Sequence, residues 1–149
     1  MLMWYTFIAK IASMLGPNSQ NRIKFFLFDG IGACISTFFL LCFTLFFSQY
    51  FGLPQEVLWH LSFAATFIAL FSLSCFLLKP KKQRIFMGII IGYNIIYCIF
   101  TILTLIENGN TITPAAIGYF TLEILIILII INIEWYALKN KNIFLKNRK

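Results

Sequence analysis

Four apolar runs, each long enough to cross a bilayer as a helix, constrain this chain more than any motif in it. They cover about 25–50, 57–78, 85–106 and 114–138, and the hydrocarbon of a bilayer takes about 20 helical residues to cross. In lipid a segment must satisfy its own backbone hydrogen bonds, which a helix does. Three breaks separate the runs. Phe51-Gly52-Leu53-Pro54 reads as a tight turn, Lys79-Pro80-Lys81-Lys82 as a basic loop and Glu107-Asn108-Gly109-Asn110 as a polar turn. Thr113 before Pro114 is a cap-then-proline helix opening. The expected fold is an all-α membrane protein, a four-transmembrane-helix bundle.

The composition agrees. Of 149 residues, 60% are hydrophobic and 11% charged, whereas a soluble domain carries roughly a quarter charged residues. The spans occupy most of the chain, which leaves room for one domain and no separate soluble catalytic unit. The net charge of +7 would suggest nucleic acid in a soluble protein, but here the basic residues flank hydrophobic segments and face anionic headgroups. No polar face interleaves Lys or Arg with aromatics as a nucleic-acid groove does, so nucleic acid is not expected as a partner.

The charges also give an orientation. Lys10, Arg22 and Lys24 precede the first span, Lys79, Lys81, Lys82 and Arg84 lie between the second and third, and Lys139, Lys141, Lys146, Arg148 and Lys149 follow the fourth. The other two loops hold only Glu56 and Glu107. Positive residues stay inside, which places both termini and the basic loop in the cytoplasm of a bacterial inner membrane. Residues 1–21 read as an interfacial amphipathic helix, with Trp4, Tyr5 and Phe7 dipping inward, and a linker from Gly16. Lys10 sits mid-stretch and no small-x-small site follows cleanly, which argues against a signal peptide. Residues 22–138 then form the bundle and 139–149 a basic cytoplasmic tail.

Polar residues inside a span are costly and are functional candidates for that reason. Glu123 falls near the middle of the fourth span, in TLEILIILIII. Hydrocarbon disfavours a carboxylate charge at that depth, so the group suits either proton exchange or a hydrogen bond to a neighbouring helix. Asn94 and Tyr97 open a stripe at helical spacing that continues through Thr101, Thr104 and Asn108. Asn94 and Glu123 lie at similar depth and are expected to approach each other. Glu123, Asn94, Tyr97 and Thr101 make up the candidate polar centre. Asp29, one turn into the first span, and Glu134, near the end of the fourth, read either as ordinary interface charges or as the lining of a cytoplasmic vestibule, with Asp29 snorkelling to the boundary or pairing with Lys24, Arg84 or Lys139. Gly30, Gly32, Ala33, Ser36 and Thr37 allow close helix approach, as do Ser62, Ala65, Ala69 and Ser72 on the second span.

Other chemistry finds little support. Cys34, Cys42, Cys75 and Cys98 all lie in spans with no CxxC spacing, so they behave as small hydrophobes rather than as a disulfide or zinc framework. His60 has only Glu56 and Glu107 near its end of the bundle, too few for a metal site. There is no HExxH, GxSxG, phosphate loop or dinucleotide fingerprint, so neither a catalytic residue nor a cofactor is expected.

Asp29-Gly30-Ile31-Gly32-Ala33, Phe51-Gly52-Leu53-Pro54, Asn94 with Tyr97, and Tyr119-Phe120 with Glu123 together resemble a family of small four-span membrane proteins of Bacteroidetes. The likeness covers about residues 23–136. It implies a fold and a host membrane and brings no activity with it. Small multidrug transporters share four short helices and one membrane glutamate, but theirs lies in the first helix. GtrA-like lipid-linked sugar translocation proteins share the size and span count, without a motif to anchor them here. The expectation is a binding, structural or accessory membrane protein that forms a homodimer or docks on a membrane partner. The alternative is a homodimeric transporter or lipid translocator using Glu123 as proton or cation site.

Overall fold

The computed structural model describes the backbone of residues 19–139 and the side chains of 23–138. The interfacial helix expected in residues 1–21 and the tail expected after Lys139 lie outside the described residues, apart from 19–21, which already belong to the first helix. The elements are α1 (Ser19–Phe46), α2 (Ser48–Phe51), α3 (Gln55–Leu78), α4 (Gln83–Glu107) and α5 (Pro114–Lys139).

All but α2 are long and apolar enough to cross a membrane, with mean hydropathies from 2.0 to 2.4. The 24 residues of α3 reach about 36 Å at 1.5 Å per residue, more than the ~30 Å of a hydrocarbon core. The chain is an integral membrane protein of four spans. Because the count is even, the start of α1, the α3–α4 loop and the end of α5 lie at one end of the bundle, called here the basic end.

The first helix stops at Phe46, short of the Tyr50 expected from hydrophobicity. Phe47 leaves helical geometry at φ −131°, ψ 15°, and α2 adds one turn before Gly52 reverses the chain at φ +66°. A Cβ on Gly52 would lie 1.9 Å from the Thr111 carbonyl oxygen, so backbone here meets backbone. Thr113 fastens the same contact. Its N–H donates to the Phe51 carbonyl at 3.1 Å, and its hydroxyl donates to the Tyr50 carbonyl at 2.8 Å. The same oxygen accepts from the Ala116 N–H at 3.3 Å, capping α5.

Lipid gives helices no hydrophobic reason to associate, so close packing and interhelical hydrogen bonds do the work. The α1–α3 pair is the tightest. A Cβ on Gly30 would stand 2.8 Å from Leu73 Cδ2, and the buried hydroxyls of Thr44 and Ser62 meet at 3.5 Å. Helix α4 packs on both α3 and α5, whereas α1 and α5 barely touch. One of their approaches is at Gly32, where a Cβ would be 3.6 Å from Ile130 Cδ1. The bundle therefore has an open seam.

Two apolar cores fill the rest. One, toward Gly52, includes Leu40, Phe51, Leu58, Leu61 and Phe120. The other, toward the basic end, includes Phe25, Phe26, Met87, Ile90 and Ala137. On α1 and α4 the residues between these cores include Asp29 and Asn94.

Candidate functional site

Asp29 is ten residues into α1 and Asn94 eleven into α4. At 1.5 Å per residue, each lies about 15 Å from the start of its helix, at one depth. Asn94 Nδ2 donates to Asp29 Oδ1 at 2.7 Å, and the Ser72 hydroxyl of α3 donates to Oδ2. Asp29 is 3% exposed. It is thus an interior acid held by two neutral donors, not the boundary acid paired with a lysine or arginine that its position in the chain suggested.

One turn farther from the basic end, the Tyr97 hydroxyl donates to Glu123 Oε1 at 3.1 Å. Asn94 and Glu123 line the same cavity but bond other partners, Asn94 with Asp29 and Tyr97 with Glu123. Glu123 is 6% exposed, and its Oε2 has no hydrogen-bond partner. The Ser36 hydroxyl on α1 is a further hydrogen-bonding neighbour of the same carboxyl.

Both pairs open on one cavity of about 250 Å³. Its polar wall is Asp29, Ser36, Asn94, Tyr97, Tyr119 and Glu123, and the remainder is apolar. Ile35 and Phe39 of α1, with Leu122 and Ile126 of α5, line the cavity and are exposed on the outer surface of the bundle. The cavity therefore reaches that surface through the α1–α5 seam. Toward Gly52 it ends on an aromatic cluster, in which the Phe43 ring centroid lies 4.4 Å from that of Phe51, tilted, and 4.9 Å from that of Tyr119, edge-to-face.

Two expected site residues do not line the cavity. Thr101 is fully buried behind Tyr97: its hydroxyl donates to the Tyr97 carbonyl at 2.9 Å, and its side chain is also a hydrogen-bonding neighbour of the Tyr97 side chain. Glu134 does not line it either. It is 1% exposed, within electrostatic reach of Asp29, and both its carboxyl oxygens lack hydrogen-bond partners. A vestibule shared by Asp29 and Glu134 is not formed, because Asp29 turns to the central cavity. His60 bonds within its own helix, its Nδ1 donating to the Glu56 carbonyl at 2.7 Å.

Ser36, Ser72 and Tyr119 are site residues that the sequence did not single out. The first two were visible as members of close-packing stripes, and their hydroxyls were the signal, since Ala packs as closely without one. No family model, no curated protein and no solved structure matches this chain, so the site stands on its own geometry.

Proposed function

We propose that this protein binds a small lipid-soluble molecule within the membrane, admitting it sideways between α1 and α5 to the polar centre of Asp29, Asn94, Tyr97 and Glu123. One observation carries the reading: a largely apolar cavity, open to the bundle surface, gathers the polar side chains of Asp29, Asn94, Tyr97 and Glu123 on one wall. A pocket with an apolar wall and a few convergent polar groups is the usual form of a ligand site. Entry through the seam suits a molecule that partitions into lipid first. We further propose that the basic end faces the cytoplasm, where exposed Lys79, Lys81, Lys82 and Arg84 meet anionic headgroups. A membrane-impermeant maleimide would then label Lys81→Cys only from the cytoplasmic side and Gly109→Cys only from the other.

Native mass spectrometry from a mild detergent tests the binding reading. Wild-type protein is expected to retain a small molecule that Ile126→Trp, which fills the mouth of the cavity, releases. Bare protein in both spectra contradicts it. Translocation is the second reading, favoured because the cavity lies between the two ends of the bundle. It needs a second copy, since four helices rarely enclose a path, and it predicts that Glu123→Gln abolishes transport while binding partners of the dimer remain assembled.

A further inference from the structure

We infer that the ligand class is a small lipophilic amine in its ammonium form, seated with its charge toward the Glu123 carboxyl and its hydrocarbon part along Ile35, Leu122 and Ile126. This rests on the binding reading above and adds the chemistry of the ligand.

The hydrogen bonds of the two cavity acids all run one way. Ser72 and Asn94 donate to Asp29, and Tyr97 donates to Glu123. The cavity these two acids line holds no Lys, Arg or His. A ligand that brings a hydrogen-bond donor suits them. In so apolar a setting, a donor that also carries positive charge offsets the acids, whereas an anion is repelled.

The aromatic rings agree. Phe39, Tyr97 and Tyr119 line the cavity, and ring faces attract ammonium groups, more so when water is excluded. A metal ion fits less well. Among the described residues no group of three or more His, Cys, Asp or Glu side chains is placed to hold one, and Ca²⁺ takes about six to eight oxygen ligands. The cavity of about 250 Å³ falls just below the roughly 300–1,000 Å³ of sites for drug-sized molecules, so the amine is small.

Three probes of one shape test this: phenylbutylamine, phenylbutanol and phenylbutyrate. Each is titrated at neutral pH against the full chain in zwitterionic nanodiscs, with empty nanodiscs subtracted. The amine is expected to bind about tenfold more tightly than the alcohol, a difference of about 1.4 kcal/mol, and the carboxylate not at all. Glu123→Gln is expected to erase the advantage of the amine and leave the alcohol unchanged, and Ile126→Trp to weaken both. The ranking in wild-type protein decides the question even if a variant fails to fold. Alcohol or carboxylate binding as tightly as the amine, and still sensitive to Ile126→Trp, overturns the amine and spares the cavity. No probe bound above the empty discs, or binding indifferent to Ile126→Trp, overturns both.

Discussion

Asn94 on α4 donates to Asp29 on α1 across 2.7 Å, joining two helices that otherwise scarcely meet. Ser72 donates to the other oxygen of the same carboxyl, so one acid ties three spans together. The bond also fixes the inner wall of the cavity, because Asp29 and Asn94 both line it.

Removing one member of this trio leaves an orphan, and removing all of them does not. Asn94→Leu is expected to destabilise the fold by about 1–2 kcal/mol, the upper range for interhelical hydrogen bonds in membranes. The triple change Asp29→Leu, Asn94→Leu and Ser72→Ala is expected to cost less than the sum of its parts, since no polar group remains unpaired. Reversible unfolding in mixed micelles measures both. Additive losses would show that the three residues act independently.

Gly52 and Gly88 make a matched pair. Gly52 has φ +66° and its Cβ would strike the Thr111 carbonyl, while a Cβ on Gly88 meets nothing within 4 Å. Gly52→Ala is expected to lose about 1–3 kcal/mol through left-handed strain and displacement of the 111–112 backbone. Gly88→Ala is expected to hold or raise the melting temperature, because Ala is the better helix residue. Thermal melts monitored by circular dichroism separate them.

Much of this fold was legible in the sequence, because 20-odd apolar residues have few ways to satisfy their backbone in lipid. The Gly52 and Lys79 breaks were legible for the same reason. The place of Asp29 was not. Hydrophobicity put Asp29 one turn inside the first span, but its partners depend on what α3 and α4 bring to that level, Ser72 and Asn94, and a single span's apolar run carries no record of its neighbours. The polar stripe was legible by its spacing, but its reach into the cavity was not: Thr101 bonds its own preceding turn and neighbours the Tyr97 side chain without lining the cavity. Glu123 was legible as an interior acid because it is far from both ends of its span, where an error of a turn changes little.

Thr113 should matter beyond its cap. Its hydroxyl serves the Tyr50 carbonyl and the Ala116 N–H at once. Thr113→Val, nearly isosteric, is expected to cost about 1 kcal/mol, as loss of an N-cap does, and Thr113→Ser to restore most of it. Amide hydrogen exchange provides the check, with faster exchange at Ala116 in the Val variant. Unchanged exchange there would show that the cap contributes nothing.

At Glu123 the hydrogen bond and the unpaired atom separate by substitution. Glu123→Gln keeps an oxygen for the Tyr97 hydroxyl and replaces the unpaired Oε2 with an amide donor beside Ser36. Stability is therefore expected to stay within about 0.5 kcal/mol, as for changes outside the destabilising mechanisms. Glu123→Leu strands the Tyr97 hydroxyl in a buried setting and is expected to cost about 1–3 kcal/mol. Adding Tyr97→Phe to Glu123→Leu is expected to recover part of that loss, because the stranded donor is gone. Unfolding in mixed micelles reads all three variants. If Glu123→Gln proved as damaging as Glu123→Leu, the carboxyl itself would be needed for folding, and the unpaired oxygen would have a structural role in place of a ligand.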